Sequence, residues 1–85
     1  MQIQLRFFAS LREAVGVAQE SVILPAHVQN AGQARDYLRE RGGVWSEALG
    51  EGRALRMACN QQMAEPATPL SEGCELAFFP PVTGG

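Results

Sequence analysis

Short segments of this chain alternate apolar and polar residues, which is the pattern of strands that bury one face of a sheet. Residues 2–8 predict a first strand, whose inward residues are Ile3, Leu5 and Phe7. The same alternation predicts strands over residues 20–24, 55–59 and 74–79, with a short additional strand over 62–64. The chain is therefore expected to form a small sheet.

Polar residues at a characteristic spacing predict where two helices begin. Ser10 and Glu13 have the spacing of a capping box, in which two side chains satisfy free backbone amides at a helix start. Asn30 and Gln33 have the same spacing and are predicted to open the main helix. Gly16 is expected to end the first, short helix, because glycine readily adopts the left-handed conformation found there. The two strands on either side of this short helix are predicted to be antiparallel neighbours.

The main helix is predicted to bury one face against the sheet. Its apolar stripe consists of Ala34, Tyr37 and Leu38. The residues expected to face water are Arg35, Arg39 and Glu40. Gly42-Gly43 ends the helix, and residues 44–49 predict a short helical turn. The order strand, strand, helix, strand, strand indicates an α+β fold, a mixed sheet with one main helix packed on one face.

Four apolar residues fall on the side of the predicted sheet that faces away from the main helix. They are Phe8, Ala58, Ala77 and Phe79, and together they are called the outward patch. The solvent face of a sheet is normally polar, and a contiguous apolar area on it usually marks a partner surface. The outward patch is therefore a candidate partner interface, with coverage by loops as the alternative.

Length, charge and composition exclude several classes of function. Eighty-five residues allow a single domain. A net charge of −2 and a pI near 5.2 argue against nucleic acid and against an anionic membrane as partners. The first residues carry Arg6 and alternate in polarity, so they do not predict a signal peptide. We expect a cytoplasmic protein, with Cys59 and Cys74 as free thiols rather than a disulfide.

The side chains offer little chemistry. His27 is the only histidine and Asp36 the only aspartate, and neither has a spacing that suggests a catalytic set. One histidine and two cysteines supply too few ligands for a structural zinc site, so no metal site is predicted. Glycine-rich phosphate-binding motifs are also absent from the sequence. We therefore predict no bound cofactor and no enzyme active on its own.

The most informative segment is the end of the sequence, ELAFFPPVTGG. Pro80-Pro81 favours an extended, stiff backbone after the last strand, and six residues span at most about 20 Å. Glycine has no Cβ, so a Gly84-Gly85 end fits a narrow channel and exposes an unhindered carboxylate. Thr83 has no neighbour that would activate it as a nucleophile. The predicted organisation is a domain over residues 1–79 and a tail for insertion over residues 80–85, comprising Pro80, Pro81, Val82, Thr83, Gly84 and Gly85.

Three segments resemble the MoaD family, the ubiquitin-like sulfur carriers that form the small subunit of molybdopterin synthase. They are RFFASLREAVG near the start, ACNQQMA in the middle and LSEGCELAFFPPVTGG at the end. The resemblance covers nearly the whole chain, and it implies the β-grasp fold. Cys74 stands where the family usually has an acidic residue, and Ala31-Gly32 stand where it has a β-branched pair. Neither departure affects a residue for which the resemblance implies a function.

The resemblance implies that the reactive group is the carboxylate of Gly85. A ubiquitin-activating-type adenylyltransferase would adenylate it with ATP and magnesium, and a persulfide donor enzyme would convert it to a thiocarboxylate. The tail would then enter the large subunit of molybdopterin synthase and give its sulfur to cyclic pyranopterin monophosphate, in molybdenum cofactor biosynthesis. The implied complex is a heterotetramer of two small and two large subunits, with the outward patch docked beside the tail.

Three alternatives remain open. A sulfur carrier of this kind can instead serve another pathway, such as synthesis of the thiamine thiazole. A ubiquitin-like modifier would use the same Gly85 carboxylate to form isopeptide bonds on target lysines. All seven basic residues of this chain are arginine, so it cannot form lysine-linked polymers of itself, although single modification of other proteins remains compatible. The third alternative is an interaction domain in which the terminal glycines have no role.

Overall fold

The computed structural model describes residues 1–50 and 52–81. Within them, five strands form one mixed sheet with the order β2-β1-β5-β3-β4, and three helices accompany it. The elements are β1 (Gln2–Phe7), α1 (Ala9–Val15), β2 (Gln19–Ile23), α2 (Ala31–Arg39), α3 (Val44–Ala48), β3 (Arg56–Cys59), β4 (Gln62–Ala64) and β5 (Glu75–Phe79). The predicted α+β class is confirmed, and each strand agrees with its predicted range to within one residue.

The two central strands of the sheet come from the two ends of the sequence. β1 lies parallel to β5 and antiparallel to β2, as predicted for the first two strands. On its other side β5 pairs antiparallel with β3, which forms a hairpin with β4. The hairpin turns at Asn60 and Gln61, whose φ angles of 50° and 68° match a two-residue turn with both residues left-handed.

The core lies between the sheet and the helices. The inward residues of β1 and β5 are almost fully buried, and from α2 they meet Ala34 and Leu38, each 0% exposed. Three aromatic rings close one end of this core. The Phe7 ring stacks against Phe78 with centroids 5.7 Å apart and meets Trp45 edge-on at 5.4 Å. Offset and edge-to-face contacts of this kind stabilise a pair of rings beyond the area they bury.

The predicted capping box at Ser10 and Glu13 is wrong. Helix α1 begins earlier, at Ala9, with Phe8 as its N-cap and with no side chain of the described residues capping it. The cause is the sheet: the Phe8 amide donates to the carbonyl of Phe78 at 3.1 Å, and the chain turns into the helix at the next residue. The predicted end of α1 is confirmed, because Gly16 has a φ of 83° and its amide donates to the carbonyl of Arg12.

The capping box at the start of α2 is confirmed. The Gln33 amide donates to Oδ1 of Asn30 at 2.8 Å, and the Asn30 amide donates to Oε1 of Gln33 at 3.2 Å. A close contact with the loop after β4 explains why residue 32 is a glycine. The Gly32 amide donates to the carbonyl of Pro66 at 2.8 Å, and a Cβ at Gly32 would lie only 3.0 Å from the Pro66 Cβ. Gly32 therefore allows the loop after β4 to approach the helix closely.

Arg35 does not simply face water, contrary to the prediction. Its side chain is partly buried and donates hydrogen bonds to backbone carbonyls in the loop between α3 and β3. Arg39, also predicted to face water, forms an ion pair with Asp36 on the same helix at 3.1 Å. Glu40 is exposed, as predicted.

Candidate functional site

The structure brings the four residues of the outward patch together at one end of the sheet. Ala58 of β3 lies directly opposite Ala77 of β5 in the antiparallel register. Two residues further along β5 is Phe79, and the parallel register of Phe7 with Phe78 places Phe8 beside it. The prediction that these residues share a face therefore agrees with the backbone pairing, while their role as a partner interface stays a prediction.

The residues at the centre of the outward patch are less exposed than Phe8 at its edge. Ala58 and Ala77 are only 9% and 5% exposed, although they lie on the face opposite the helix. Their side chains are short, and larger residues flank them in the same row across the sheet, so little of their surface reaches water. Phe8, in contrast, is 43% exposed, which is unusual for a large aromatic residue.

Met63 belongs to the same surface and was missed by the sequence analysis. It lies opposite Ala58 in the β3–β4 hairpin, and it is 61% exposed. Its position was available from the sequence, because a two-residue turn at Asn60-Gln61 fixes which residues face each other across the hairpin. Met63 extends the apolar area to the outer edge of the sheet, with a flexible side chain suited to a partner surface.

Two arginines border the apolar area. Arg6 is the β1 neighbour of Ala77, and its guanidinium carbon lies 5.8 Å from the centre of the Phe8 ring. A nitrogen of Arg6 is also 4.0 Å from the Glu75 carboxylate, a long and exposed ion pair. Arg56 is exposed and lies opposite Phe79. The surface around the outward patch is thus apolar in the middle and carries cationic groups at its edge.

The tail leaves the sheet beside the outward patch. β5 ends at Phe79, and the two prolines that follow have no amide hydrogen with which to continue the ladder. Continued by two residues, the β3–β5 register sets Leu55 opposite Pro80 and Ala54 opposite Pro81. Pro80 and Pro81 are half-buried there. The remaining predicted tail residues, Val82, Thr83, Gly84 and Gly85, lie outside the described residues.

The described side chains near the tail include no evident catalytic group. His27 is exposed in a turn after β2. Both cysteines are free thiols, as predicted, and burial together with the neighbouring Cys74 thiol raises the pKa of Cys59. A thiol with a raised pKa is a poor nucleophile at neutral pH. Over residues 1–50 and 52–81, no three His, Cys, Asp or Glu residues are grouped so that they could hold a metal ion.

None of the helices within the described ranges has the length and apolar character needed to cross a membrane.

Sequence comparison finds relatives over the full length of the chain. The profile of the ThiS family matches residues 5–85. The molybdopterin synthase sulfur carrier subunits of Haemophilus influenzae and Escherichia coli are each 37% identical to this chain over 83 residues. Each alignment covers 98% of this chain and 99% of the relative.

Solved structures share the fold. SAMP1 from Haloferax volcanii is 26% identical with a TM-score of 0.76, and all of both chains is covered. The HVO 2177 protein of the same organism is 25% identical with a TM-score of 0.79, covering 100% of this chain and 87% of that one. The complex of subunits 1 and 2 of molybdopterin-converting factor from Helicobacter pylori contains a chain that is 23% identical, with a TM-score of 0.68 and full coverage of both chains. The predicted ubiquitin-like β-grasp fold is confirmed.

Proposed function

Because this chain belongs to the ThiS family, we propose that it is the sulfur-carrier subunit of a molybdopterin synthase. The family assignment confirms the resemblance to the MoaD sulfur carriers. The observation that carries the proposal is the 37% identity, across 98% of this chain, to two relatives that bear this name. The alignment also covers 99% of the relative, so the similarity spans both chains.

In the proposed cycle the chain supplies the reacting carboxylate and its partners supply the catalytic groups. An activating enzyme binds ATP and magnesium, and the Gly85 carboxylate attacks the α-phosphorus so that pyrophosphate leaves. The terminal sulfur of a donor persulfide attacks the resulting acyl adenylate, and AMP leaves with its bonding electrons. A second thiol cleaves the sulfur–sulfur bond, which releases a thiocarboxylate on Gly85 and leaves a disulfide on the thiol side.

The thiocarboxylate then delivers its sulfur inside the large subunit. There its sulfur bonds to a side-chain carbon of cyclic pyranopterin monophosphate and displaces an oxygen substituent, and water then cleaves the bond between that sulfur and the Gly85 carbonyl, which regenerates the carboxylate. Two such rounds supply both sulfurs of the dithiolene. A thiocarboxylate is a better nucleophile than a carboxylate at neutral pH, so the activation has a chemical purpose.

We propose the outward patch as the surface that binds the large subunit. Ala77, Phe79 and Pro80 lie within four residues of one another, so a protein bound over the patch is within reach of the tail. The proposed assembly is a heterotetramer with two copies of each subunit, and the proposed compartment is the cytoplasm. Light scattering of the purified complex, read against the masses of the two subunits, measures the stoichiometry.

The chemistry is tested by intact mass spectrometry. The chain is incubated with an activating enzyme, magnesium and ATP, and a persulfide donor, and the expected product has gained the mass of one oxygen replaced by sulfur. A chain lacking Gly85 should fold normally, as judged by circular dichroism, and gain nothing. No mass change in the full chain would contradict the proposal, and so would an equal gain in the truncated chain.

Experiments in cell lysate separate the competing functions. Higher-mass conjugates in a lysate that depend on Gly85 would favour a protein modifier, and a thiazole synthase among the captured partners would favour the thiamine pathway. SAMP1, a small archaeal modifier protein, is 26% identical to this chain, whereas the two molybdopterin synthase sulfur carrier subunits are each 37% identical. The sequence evidence therefore favours the molybdopterin pathway over a protein modifier.

A further inference from the structure

Arg35 joins the main helix to the loop that precedes β3. Its Nε donates to the carbonyl of Leu49 at 2.8 Å, and its Nη2 donates to the carbonyl of Gly50 and makes a longer contact of 3.5 Å with that of Arg53. Backbone and side-chain bonds tighten the same loop, because the Arg53 amide donates to the Gly50 carbonyl and its Nε donates to that of Glu47. The Arg35 guanidinium thus contacts three backbone carbonyls that lie outside the helices and strands.

The loop held by Arg35 leads directly to the residues beside the tail. Ala54 and Leu55 follow Arg53, and the continued β3–β5 register sets them opposite Pro81 and Pro80. Two open recesses flank this contact. One, of about 320 Å³, is lined by Arg35, Ala54, Leu55 and Pro81 among others, and the second, of about 350 Å³, by Arg53, Ala54, Leu55 and Pro80 among others.

The prolines make this support necessary. Because Pro80 and Pro81 have no amide hydrogen to donate to the ladder, the neighbouring residues Ala54 and Leu55, which line the same recesses, are the ones placed to support the start of the tail. Those two residues lie outside the ladder as well, since β3 begins at Arg56. Their position depends on the loop before them, and the Arg35 side chain joins that loop to the main helix by hydrogen bonds.

We propose that Arg35 is a positioning residue for the sulfur-carrier reaction, which fixes the direction of the tail by holding the loop that supports Pro80 and Pro81. The proposal rests on the proposed function, in which a partner must receive the end of the tail in a narrow site. Arginine suits the role because its planar fork offers several donors in fixed directions. A lysine ammonium has no such fork and is expected to hold the loop less well.

The test compares three variants in the activation reaction. Arg35→Gln removes the charge and most of the donors, Arg35→Lys keeps the charge, and Arg39→Gln is the matched control on the same helix. The rate of thiocarboxylate formation is measured by intact mass spectrometry over a range of carrier concentrations. The hydrogen bonds described for Arg35 go to carbonyls of the loop before β3 rather than to an exposed surface that a partner would bind, so KM for the carrier is expected to change less than twofold.

The expected effect is on kcat. A misplaced reacting group costs up to about 100-fold in rate for a displacement of about 1 Å, so we expect Arg35→Gln to lower kcat about 10-fold or more. Arg35→Lys should restore part of that loss, and Arg39→Gln should match the wild type. A wild-type kcat in Arg35→Gln, or a raised KM at unchanged kcat, would overturn the proposal.

Hydrogen exchange gives a readout that does not depend on activity. Arg35→Gln should speed amide exchange at Arg53, whose amide donates to the Gly50 carbonyl, and at Arg56, the first residue of β3, while amides of β1 keep their protection. Unchanged exchange at Arg53 and Arg56 would overturn the proposal, whatever the activity assay shows. A wild-type chain that never gains sulfur would contradict the proposed function, and the exchange result would still decide whether Arg35 holds the loop.

Discussion

The exposed ring of Phe8 gives the most direct test of the outward patch. We predict that Phe8→Ala weakens binding of the molybdopterin synthase large subunit without unfolding the chain. The contacts that Phe8 makes through its backbone, from its amide to Phe78 and from the amides of Leu11 and Arg12 to its carbonyl, survive the substitution. The residue is 43% exposed, and its ring contacts the guanidinium of Arg6.

The size of the effect follows from the exposed area of Phe8. An aromatic side chain carries about 200 Å², and at 43% exposure about 85 Å² of Phe8 is available for burial by a partner. At about 25 cal/mol per Å², complete burial contributes about 2 kcal/mol, or about 30-fold in Kd. This is an upper figure because association also immobilises the ring, so the expected weakening is about 5- to 30-fold.

Ile23 provides the matched control. It is 74% exposed and lies on the same face of the sheet, paired with Gln2 at the far end of β1. Phe8 lies six positions after Gln2, which is about 20 Å along an extended strand. Isothermal titration calorimetry with the large subunit should show Ile23→Ala within twofold of the wild type. If the two variants bind equally well, the outward patch is not the docking surface, however well the tail reacts.

Two further predictions concern stability. Gly32→Ala should lower the free energy of unfolding in urea, because the new Cβ meets Pro66 at 3.0–3.1 Å and this conflict outweighs the gain in helix propensity of about 1 kcal/mol; a more stable variant would contradict the close approach. Glu20 accepts hydrogen bonds from Arg41, and these hold the pKa of Glu20 below its ordinary value. The contribution of this pair to folding stability is therefore complete above the unfolded-state pKa of about 4.3, and it is lost as the pH falls through the lower folded-state pKa. Glu20→Gln should therefore make the melting temperature fall less steeply with acid than in the wild type, and parallel curves would contradict the prediction.

The strands could be predicted from the sequence because each buries one face, and a period of two then follows directly. The inward residues Ile3, Leu5 and Phe78 are all fully buried or nearly so. The capping box of α2 could be predicted for a similar reason, since Asn30 and Gln33 satisfy each other within four residues. Information that is local in sequence was sufficient for these elements.

The errors share a different cause, which is contact between residues distant in sequence. Ser10 has a capping spacing, but the hydrogen bond from Phe8 to Phe78 carries the chain straight from β1 into α1 and places Ser10 inside the first turn. Arg35 looks like a solvent-facing helix residue until the loop 14 to 18 positions later folds over it. Neither contact leaves a periodic signal in the sequence.

The position of the outward patch and the tail on a single strand has a mechanical consequence. Ala77 and Phe79 point to the face of the sheet that is proposed to bind the partner, and Phe78 between them is buried and stacked on Phe7. A partner that binds the patch therefore contacts the same strand that the tail follows directly, since β5 ends at Phe79 and the tail begins at Pro80. From Pro81 onward, four residues reach at most about 14 Å, so the reacting carbon cannot compensate for a poorly placed root by searching widely. In the transfer of sulfur to the pterin within the large subunit, docking at Phe8 and support of the start of the tail by Arg35 should thus act separately, the first through KM and the second through kcat. A variant combining Phe8→Ala with Arg35→Gln is expected to show both losses multiplied in that reaction.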